Sequence, residues 1–223
     1  MSGRDGRNVC ARGSTIGHFL PCLLLLGGFG ASAFAQKQAV AQNPTTPFTV
    51  TLSPEATHIR WTLGTTLHTV HGTFKLKSGL LRIDPATGDA SGAIVIDATS
   101  GESGDDARDK HMHKAVLESA QYPTITFRPT HVSGAIDLTA ADEVKVDGIL
   151  NLLGVGHPLE LTVSLHPQGA GAAPVAGAAL VTHFAVPFVA WGLKDPSTFV
   201  LRTDKQVTLD VDATFVATLA PPS

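Results

Sequence analysis

From Phe48 onward, polar and apolar residues alternate with a period of two along most of this chain. The alternation is clearest over residues 159–166 and again over residues 207–215. A period of two places every second side chain on the same face of a strand, whereas a helix requires a period of about 3.6. The chain is therefore predicted to consist mainly of antiparallel strands, each with one solvated and one dry face.

Turn signals divide the alternating stretches into roughly eight or nine strands. Residues 84–89 (DPATGD) and 154–158 (GVGHP) have the composition of hairpin turns. The alternation changes phase near Gly79, as a β-bulge or a tight turn would require. Residues 169–179, which are rich in Gly and Ala, are predicted to begin as a loop and to continue as a strand. Short turns between this many strands favour a barrel or a sandwich.

One segment breaks the alternation and predicts a single short helix. The helix is predicted to begin near Ser103 or Asp105 and to end by Ser119. Acidic residues occupy its first turn, where the helix dipole favours negative charge. We therefore predict an all-β domain over residues 48–217 with one short inserted helix.

The first 35 residues have the character of an export signal. Three arginines precede an apolar run over residues 19–34, and residues 33–35 (AFA) fit the rule for cleavage after Ala35. The run is too short and too rich in glycine to be preferred as a membrane span, which needs about 20 apolar residues. The mature chain is predicted to begin at Gln36, with a disordered polar lead-in over residues 36–47.

Cysteine usage and charge exclude several functions. Cys10 and Cys22, the two cysteines of the chain, both lie in the leader, so the exported domain is predicted to have neither a disulfide nor a thiolate nucleophile. The chain is acidic, with a formal net charge of −3, and removal of the arginine-containing leader makes it more so. An acidic domain without a basic stripe is a poor candidate for nucleic-acid binding, because such binding depends on neutralising the phosphates.

No catalytic or metal-binding motif is specific enough to assign. Asp109, His111 and His113 form the densest group of candidate metal ligands, but residues two apart on a helix point to different faces. Acids at the start of this helix are expected for structural reasons. The sequence also has no nucleophile elbow and no nucleotide-binding fingerprint. We therefore predict no enzyme activity, no metal and no cofactor.

The interior of such a barrel is the more informative region. About eight strands enclose a space that side chains can fill or that can hold one small ligand. The inward candidates include large side chains, but the small residues Gly72, Gly148 and Ala213 could leave room. Composition alone leaves a solid core and a ligand tunnel equally open.

Four motifs, in order along the chain, resemble those of the YceI-like lipid- and polyisoprenoid-binding family. They are residues 70–74 (VHGTF), residues 79–84 (GLLRID), the segment with RDKHM at 108–112, YP at 122–123 and Phe127, and residues 146–155 (VDGILNLLGV). Met112 stands where the family usually has leucine. Near the end, residues 186–196 retain Trp191 and Gly192 but lack the arginine that many members have there.

The resemblance implies an extended, lipocalin-like antiparallel barrel with an apolar tunnel that holds an isoprenoid or another fatty-chain lipid. It also implies an exported bacterial protein, which we place in the periplasm, with extracellular release as the alternative. We expect peripheral membrane contact or none, and a monomer or a homodimer. The candidate ligand contacts are Ile59, Trp61, Val70, Phe74, Leu76, Met112, Phe127, Leu150, Leu152, Leu161, Phe188 and Trp191.

Two other functions stay open at this stage. One is a secreted hydrolase or metal-dependent enzyme that uses histidines at the barrel rim, where His58, His68, His71, His131 and His183 are candidates. The other is a domain with a solid core that acts through its surface.

Overall fold

A computed structural model describes residues 46–136, 141–168, 175–199 and 201–219. In these segments eight strands form a closed antiparallel barrel in which each strand pairs with its neighbours in sequence and β1 pairs with β8. The strands are β1 (Phe48–Gly64), β2 (Thr69–Ile83), β3 (Ala90–Glu102), β4 (Thr124–Ser133), β5 (Asp142–Leu152), β6 (Val155–Gln168), β7 (Val175–Val186) and β8 (Val207–Leu219). The predicted all-β, lipocalin-like barrel with one short helix is confirmed. The predicted signal peptide and most of the predicted lead-in lie outside the described residues.

Bulges keep the apolar face of the strands turned inward over their full length. In β1 the pairing with β8 shifts register between Leu52 and Thr57. Without this shift the second half of β1 would turn its apolar side chains outward, because a slip of one residue exchanges the two faces of a strand. The buried side chains are Phe48, Val50 and Leu52 before the shift and Ile59 and Trp61 after it.

A matching irregularity lies in β2, at the position where the sequence changes phase. The pairing of β2 with β3 shifts register between Leu76 and Ser78, so of the two predicted alternatives near Gly79, a bulge or a tight turn, the structure shows the bulge. The buried positions are even-numbered before the shift, at Val70 and Leu76, and odd-numbered after it, at Gly79.

The helix lies between β3 and β4. Helix α1 (Asp106–His111) is capped by Asp105, whose side chain accepts a hydrogen bond from the backbone N–H of Arg108 at 2.9 Å. It continues as a π-helical segment (Met112–Val116), in which Leu117 N donates to Met112 O at 2.9 Å. The predicted start of the helix is confirmed.

One predicted turn is wrong. The hairpin between β5 and β6 turns at Leu153 and Gly154, which both have positive φ angles of 52° and 77°. Leu152 and Val155 are already paired, so the other residues of the predicted 154–158 turn belong to β6. Pro158 is tolerated there because β6 pairs with β7 only from Val163 onward, which leaves the first half of β6 without that ladder.

Candidate functional site

The larger of two cavities inside the described barrel has a volume of about 470 Å³ and lies at the end where α1 covers the barrel. We call this the helix end. The ends of strands β1, β5 and β7 and the starts of β2 and β8 surround the cavity, together with α1 and the connection between β7 and β8. Its apolar lining includes Trp61, Leu63, Val70, Phe74, Ile96, Met112, Val116, Ile125, Leu150, Leu152, Phe184, Val186, Phe188 and Leu209.

A smaller cavity of about 150 Å³ lies deeper in the barrel. Its polar lining residues, Thr57 and Thr182, donate their hydroxyl hydrogens to the backbone carbonyls of Ser53 and Thr162 at 2.7 and 2.8 Å. These hydroxyls are therefore satisfied within the protein and do not demand a polar ligand. None of the residues that line this cavity is exposed.

The two cavities are neighbours along one apolar interior. Ile96, Leu150 and Phe184 contribute to the lining of both. A flexible chain that extends from the larger cavity towards the smaller one would therefore contact apolar side chains along its path. The interior is not a completely filled core.

Polar side chains collect where the larger cavity reaches the surface. Thr65, His68, Arg108, His111 and Thr203 line it at the helix end. His68 and His111 are exposed, so this end of the cavity borders solvent. The interior is thus polar at its outer end and apolar along its depth.

Arg108 and Asp109 fix the helix to the end of β3 through one residue, Ser103. The Asp109 carboxylate accepts hydrogen bonds from Ser103 N at 3.1 Å and from Ser103 Oγ at 2.5 Å. Arg108 Nε donates to Ser103 Oγ at 2.7 Å, and its guanidinium donates to Ser103 O at 2.9 Å. Because Arg108 also lines the larger cavity, this network positions one side of the cavity rim.

His113 provides a second anchor for the helical segment. Its Nε2 lies 2.9 Å from the carbonyl oxygen of Gly101, and its Nδ1 lies 3.0 Å from Ser119 Oγ. A carbonyl can only accept, so Nε2 carries a hydrogen. The imidazole thus ties the π-helical segment to β3 and is not directed at a ligand.

The glycines expected to leave room in the interior do not do so. A Cβ on Gly72 would lie 2.3 Å from atoms of the Trp61 ring, and one on Gly148 would lie 2.5 Å from Phe127. Each glycine is therefore covered by an aromatic ring from a neighbouring strand, an arrangement that fills the space a side chain would take. Ala213 does line the smaller cavity.

The structure brings together all the predicted ligand contacts except Trp191. Trp61, Val70, Phe74, Met112, Leu152 and Phe188 line the larger cavity, Ile59, Leu76, Phe127 and Leu161 line the smaller one, and Leu150 lines both. Their role as ligand contacts stays a prediction. Sequence reasoning missed Leu193, Pro196, Leu201 and Thr203, which reach the larger cavity from the β7–β8 connection and belong to no periodic pattern.

Trp191 packs against the core without lining either cavity. Its ring stacks on His157, with ring centroids 4.3 Å apart and an angle of 3° between the planes. His157 lies on the first half of β6, which has no ladder with β7. Trp191 therefore packs against the first half of β6 and lines neither cavity.

Two buried ring nitrogens, Trp61 Nε1 and His157 Nε2, have no hydrogen-bond partner among the described residues. Each has almost no accessible surface, although Trp61 itself lines the larger cavity. A ligand in the present cavity therefore cannot accept a hydrogen bond from Trp61 Nε1 unless the ring moves. An unpaired buried donor costs about 1–3 kcal/mol.

A charged pair restrains the β7–β8 connection. Lys205 Nζ donates to the Asp195 carboxylate, and Asp195 also accepts from Ser197 N at 2.9 Å. The hydrogen bond from Lys205, followed by those from Ser197, lowers the pKa of Asp195 below its ordinary value. Pro196 and Thr203, beside this pair in sequence, line the larger cavity.

The candidate histidines are spread over the barrel. On the outer wall, His71 Nδ1 lies 3.0 Å from Thr62 Oγ1, and His183 Nδ1 lies 2.6 Å from Asp210 Oδ1. Across the part of the chain that the structure describes, no three His, Cys, Asp or Glu side chains are grouped as metal ligands. Within the same residues, no helix is long and apolar enough to cross a membrane.

Comparisons with known proteins agree with this architecture. A family model described as YceI-like domain matches residues 50–215. The structure of BcnA from Burkholderia cenocepacia is similar, with a TM-score of 0.57, 15% identity, and coverage of 73% of this chain and 98% of BcnA. A polyisoprenoid binding domain from Saccharophagus degradans, implicated in plant cell wall breakdown, gives a TM-score of 0.52 at 17% identity and covers 77% of this chain and 98% of its own. No curated protein matches the chain by sequence.

Proposed function

Because the chain belongs to the YceI-like domain family, we propose that its barrel binds one long lipophilic chain, an isoprenoid or a fatty-chain lipid, and sequesters or carries it without covalent chemistry. The observation that carries this proposal is the pair of neighbouring apolar cavities, of about 470 and 150 Å³. The description of the Saccharophagus degradans domain as polyisoprenoid-binding supports the choice of ligand class.

The size and lining of the larger cavity suit such a ligand. Small-molecule sites commonly have volumes of about 300–1,000 Å³ and a predominantly apolar lining. Burial of hydrocarbon contributes roughly 0.8 kcal/mol per methylene, so about ten buried methylenes supply on the order of 8 kcal/mol before ordering costs. Useful affinity therefore needs no directed polar contact along the chain.

The polar rim gives the bound chain a direction. Thr65, His68, Arg108, His111 and Thr203 lie at the outer end of the larger cavity, whereas the smaller cavity has no exposed lining residue. Insertion of a polar group into the inner cavity would lose hydration without a replacement partner. The tail therefore enters first, and any polar end of the ligand stays at the helix end.

Export to the periplasm is part of the proposal. It rests on the arginines, the apolar run and the AFA cleavage pattern in residues 1–35. Mass spectrometry of the protein purified from its native host should give a mature N-terminus at Gln36. An N-terminus at Met1 on the purified protein would contradict export by cleavage.

The test of ligand binding compares two neighbouring positions on β5. Leu150 lines both cavities, whereas Ile149 points to the opposite face and is partly exposed. We expect Leu150→Trp to obstruct the passage between the cavities and to abolish binding of a fluorescently labelled fatty acid. Ile149→Trp, the matched control, should bind like the parent because it adds the same ring outside the barrel.

The same preparation should be extracted with organic solvent and analysed for lipids by mass spectrometry. The expected result is an isoprenoid or fatty-chain species in the parent and in Ile149→Trp, and its loss in Leu150→Trp. A parent protein that yields no lipid and binds no labelled fatty acid would refute the proposal. Equal binding by both variants would place the ligand outside these cavities.

A further inference from the structure

Two large apolar side chains protrude into solvent beside the mouth of the larger cavity. Phe199 is fully exposed, at 103% of its reference surface, and Leu67 is 74% exposed. They are the most exposed large hydrophobic side chains among the residues that the structure describes. We call this pair the apolar tips.

The apolar tips belong to segments that are hydrogen-bonded to each other. Leu67 lies in the β1–β2 turn, which Thr65 N closes by donating to His68 O at 3.1 Å. That turn is joined to the β7–β8 connection by a bridge between Thr65 and Thr203 and by a bond of 3.0 Å from Thr66 N to Arg202 O. The segment that carries Leu67 is thus fixed to the connection that carries Phe199.

The residues next to the tips line the cavity. Thr65 and His68 belong to the same turn as Leu67, and Leu201 and Thr203 follow Phe199 in the β7–β8 connection. All four contribute to the wall of the larger cavity. The tips therefore stand directly beside the polar rim of the proposed ligand site. Insertion of the tips into a bilayer would bring this rim to the headgroups, so that the fatty chain crosses only a short distance between bilayer and cavity.

The size of the tips favours a bilayer over a protein partner. An aromatic side chain buries about 150–250 Å² and a leucine no more than that, whereas a stable protein interface needs about 800 Å² on each partner. Peripheral membrane contact, in contrast, has no such minimum area and strengthens with each apolar group inserted and with attraction to anionic lipids.

The charge of the β7–β8 connection also favours contact with a bilayer. The β7–β8 connection carries Lys194, Arg202 and Lys205 against Asp195 and Asp204, an excess of basic residues in a chain whose formal net charge is −3. Arg202 directly follows a residue of the cavity wall, Leu201, and is exposed. The β7–β8 connection, which carries Phe199, is therefore less repelled by anionic headgroups than the acidic chain as a whole.

We propose that Leu67 and Phe199 insert into the surface of a phospholipid bilayer and hold the mouth of the larger cavity against it, so that a lipophilic chain passes between bilayer and barrel. The transfer part of this inference rests on the proposed function; the docking part does not. The contact is peripheral, through two side chains on the helix end.

Co-sedimentation with phosphatidylcholine vesicles, with and without phosphatidylglycerol, tests the docking. We expect the parent to bind, more strongly when phosphatidylglycerol is present. Leu67→Ser and Phe199→Ser should each weaken binding by about tenfold, since each removes an inserted apolar side chain. Leu80→Ser is the matched control, because Leu80 is also an exposed leucine, at 57%, but lies on β2 towards the opposite end of the barrel.

A second measurement locates the contact directly. In Phe199→Trp, vesicles of brominated phosphatidylcholine should quench the added fluorescence, whereas Leu80→Trp should give no quenching beyond that of the parent tryptophans. Absence of vesicle binding by the parent, or equal weakening by Leu80→Ser and Phe199→Ser, would overturn the proposal. Failure of the labelled fatty acid to bind in vesicle-free solution would instead refute the proposed function and leave the docking result standing.

Discussion

The two ends of the barrel interior are built from the same strands with the same alternation, yet they differ in how well they are closed. The inner cavity has no exposed lining residue, and its threonine hydroxyls are satisfied by backbone carbonyls. The cavity at the helix end is about three times as large and ends in a polar, solvent-bordered rim. The difference does not come from hydrophobicity, because both linings are mainly apolar.

The ladders between strands also differ between the two ends. β6 pairs with β7 only from Val163 onward, so this ladder is missing at the helix end. The β3–β4 ladder is limited to Ile94–Asp97 and is incomplete towards both ends. At the helix end the helical segment contacts β3 through His113 and Gly101, and Trp191 stacks on His157 of β6. The larger cavity thus lies at the end where the β6–β7 ladder is missing.

The largest expected effect is the loss of stability when a buried aromatic side chain is truncated to alanine, and it should differ between the two ends. Phe127→Ala removes a ring that packs on Gly148 beside the smaller cavity, and we expect a loss of about 3–5 kcal/mol in the free energy of unfolding. Phe188→Ala should cost less, because the larger cavity already leaves part of that ring without contacts. Urea denaturation of both variants measures the difference. Equal losses would mean that the two ends are packed alike.

An intermediate effect is expected from added volume. Leu161→Trp, at the smaller cavity, should lower the free energy of unfolding by about 1–3 kcal/mol through overpacking. Leu152→Trp, at the larger cavity, should cost less and instead displace the labelled fatty acid. Thermal unfolding and fatty-acid titration of both variants test this. If Leu152→Trp is the more destabilising of the two, the helix end does not hold usable space.

The alternation of polar and apolar residues was sufficient to predict the class of fold, because a period of two places the apolar side chains of each strand on one face. The change of phase near Gly79 likewise predicted an irregularity, a bulge or a tight turn, and the β2–β3 register shows the bulge. The hairpin at Leu153 and Gly154 was placed too late, since positive φ at a leucine is uncommon and the glycines and Pro158 farther along gave the stronger turn signal.

The site was less predictable than the fold. Strand residues such as Leu150 and Leu152 could be chosen because their strands alternate. Leu193 and Leu201 could not, because they lie in a connection whose path depends on tertiary contacts. Gly72 and Gly148 suggested space, but the rings that cover them come from distant positions in the chain, and a single sequence does not reveal those pairings.

The smallest expected effect concerns acid and is confined to the helix end. The hydrogen bond from Lys205, and then those from Ser197, lower the pKa of Asp195 in the folded protein. A lowered pKa stabilises the fold above the unfolded value of about 4, and this contribution is lost as the pH falls further through the folded pKa. Asp195→Asn should therefore lower the melting temperature slightly at pH 7, and its difference from the parent should shrink below about pH 4.

Fatty-acid affinity distinguishes the Asp195–Lys205 pair from acidic side chains elsewhere in the barrel. The pKa of Asp97, in β3, is also lowered, first by the Thr99 hydroxyl and then by the Thr99 backbone N–H. Asp97→Asn should reproduce the pH dependence of the melting temperature without changing fatty-acid binding, because Asp97 lines neither cavity. Asp195→Asn should also weaken fatty-acid binding at pH 7, because it releases the connection that carries Pro196 and Thr203. Unchanged affinity in Asp195→Asn would show that this connection holds its place without the charged pair, and that the open end owes its shape to the packing of Phe188 and Leu193 instead.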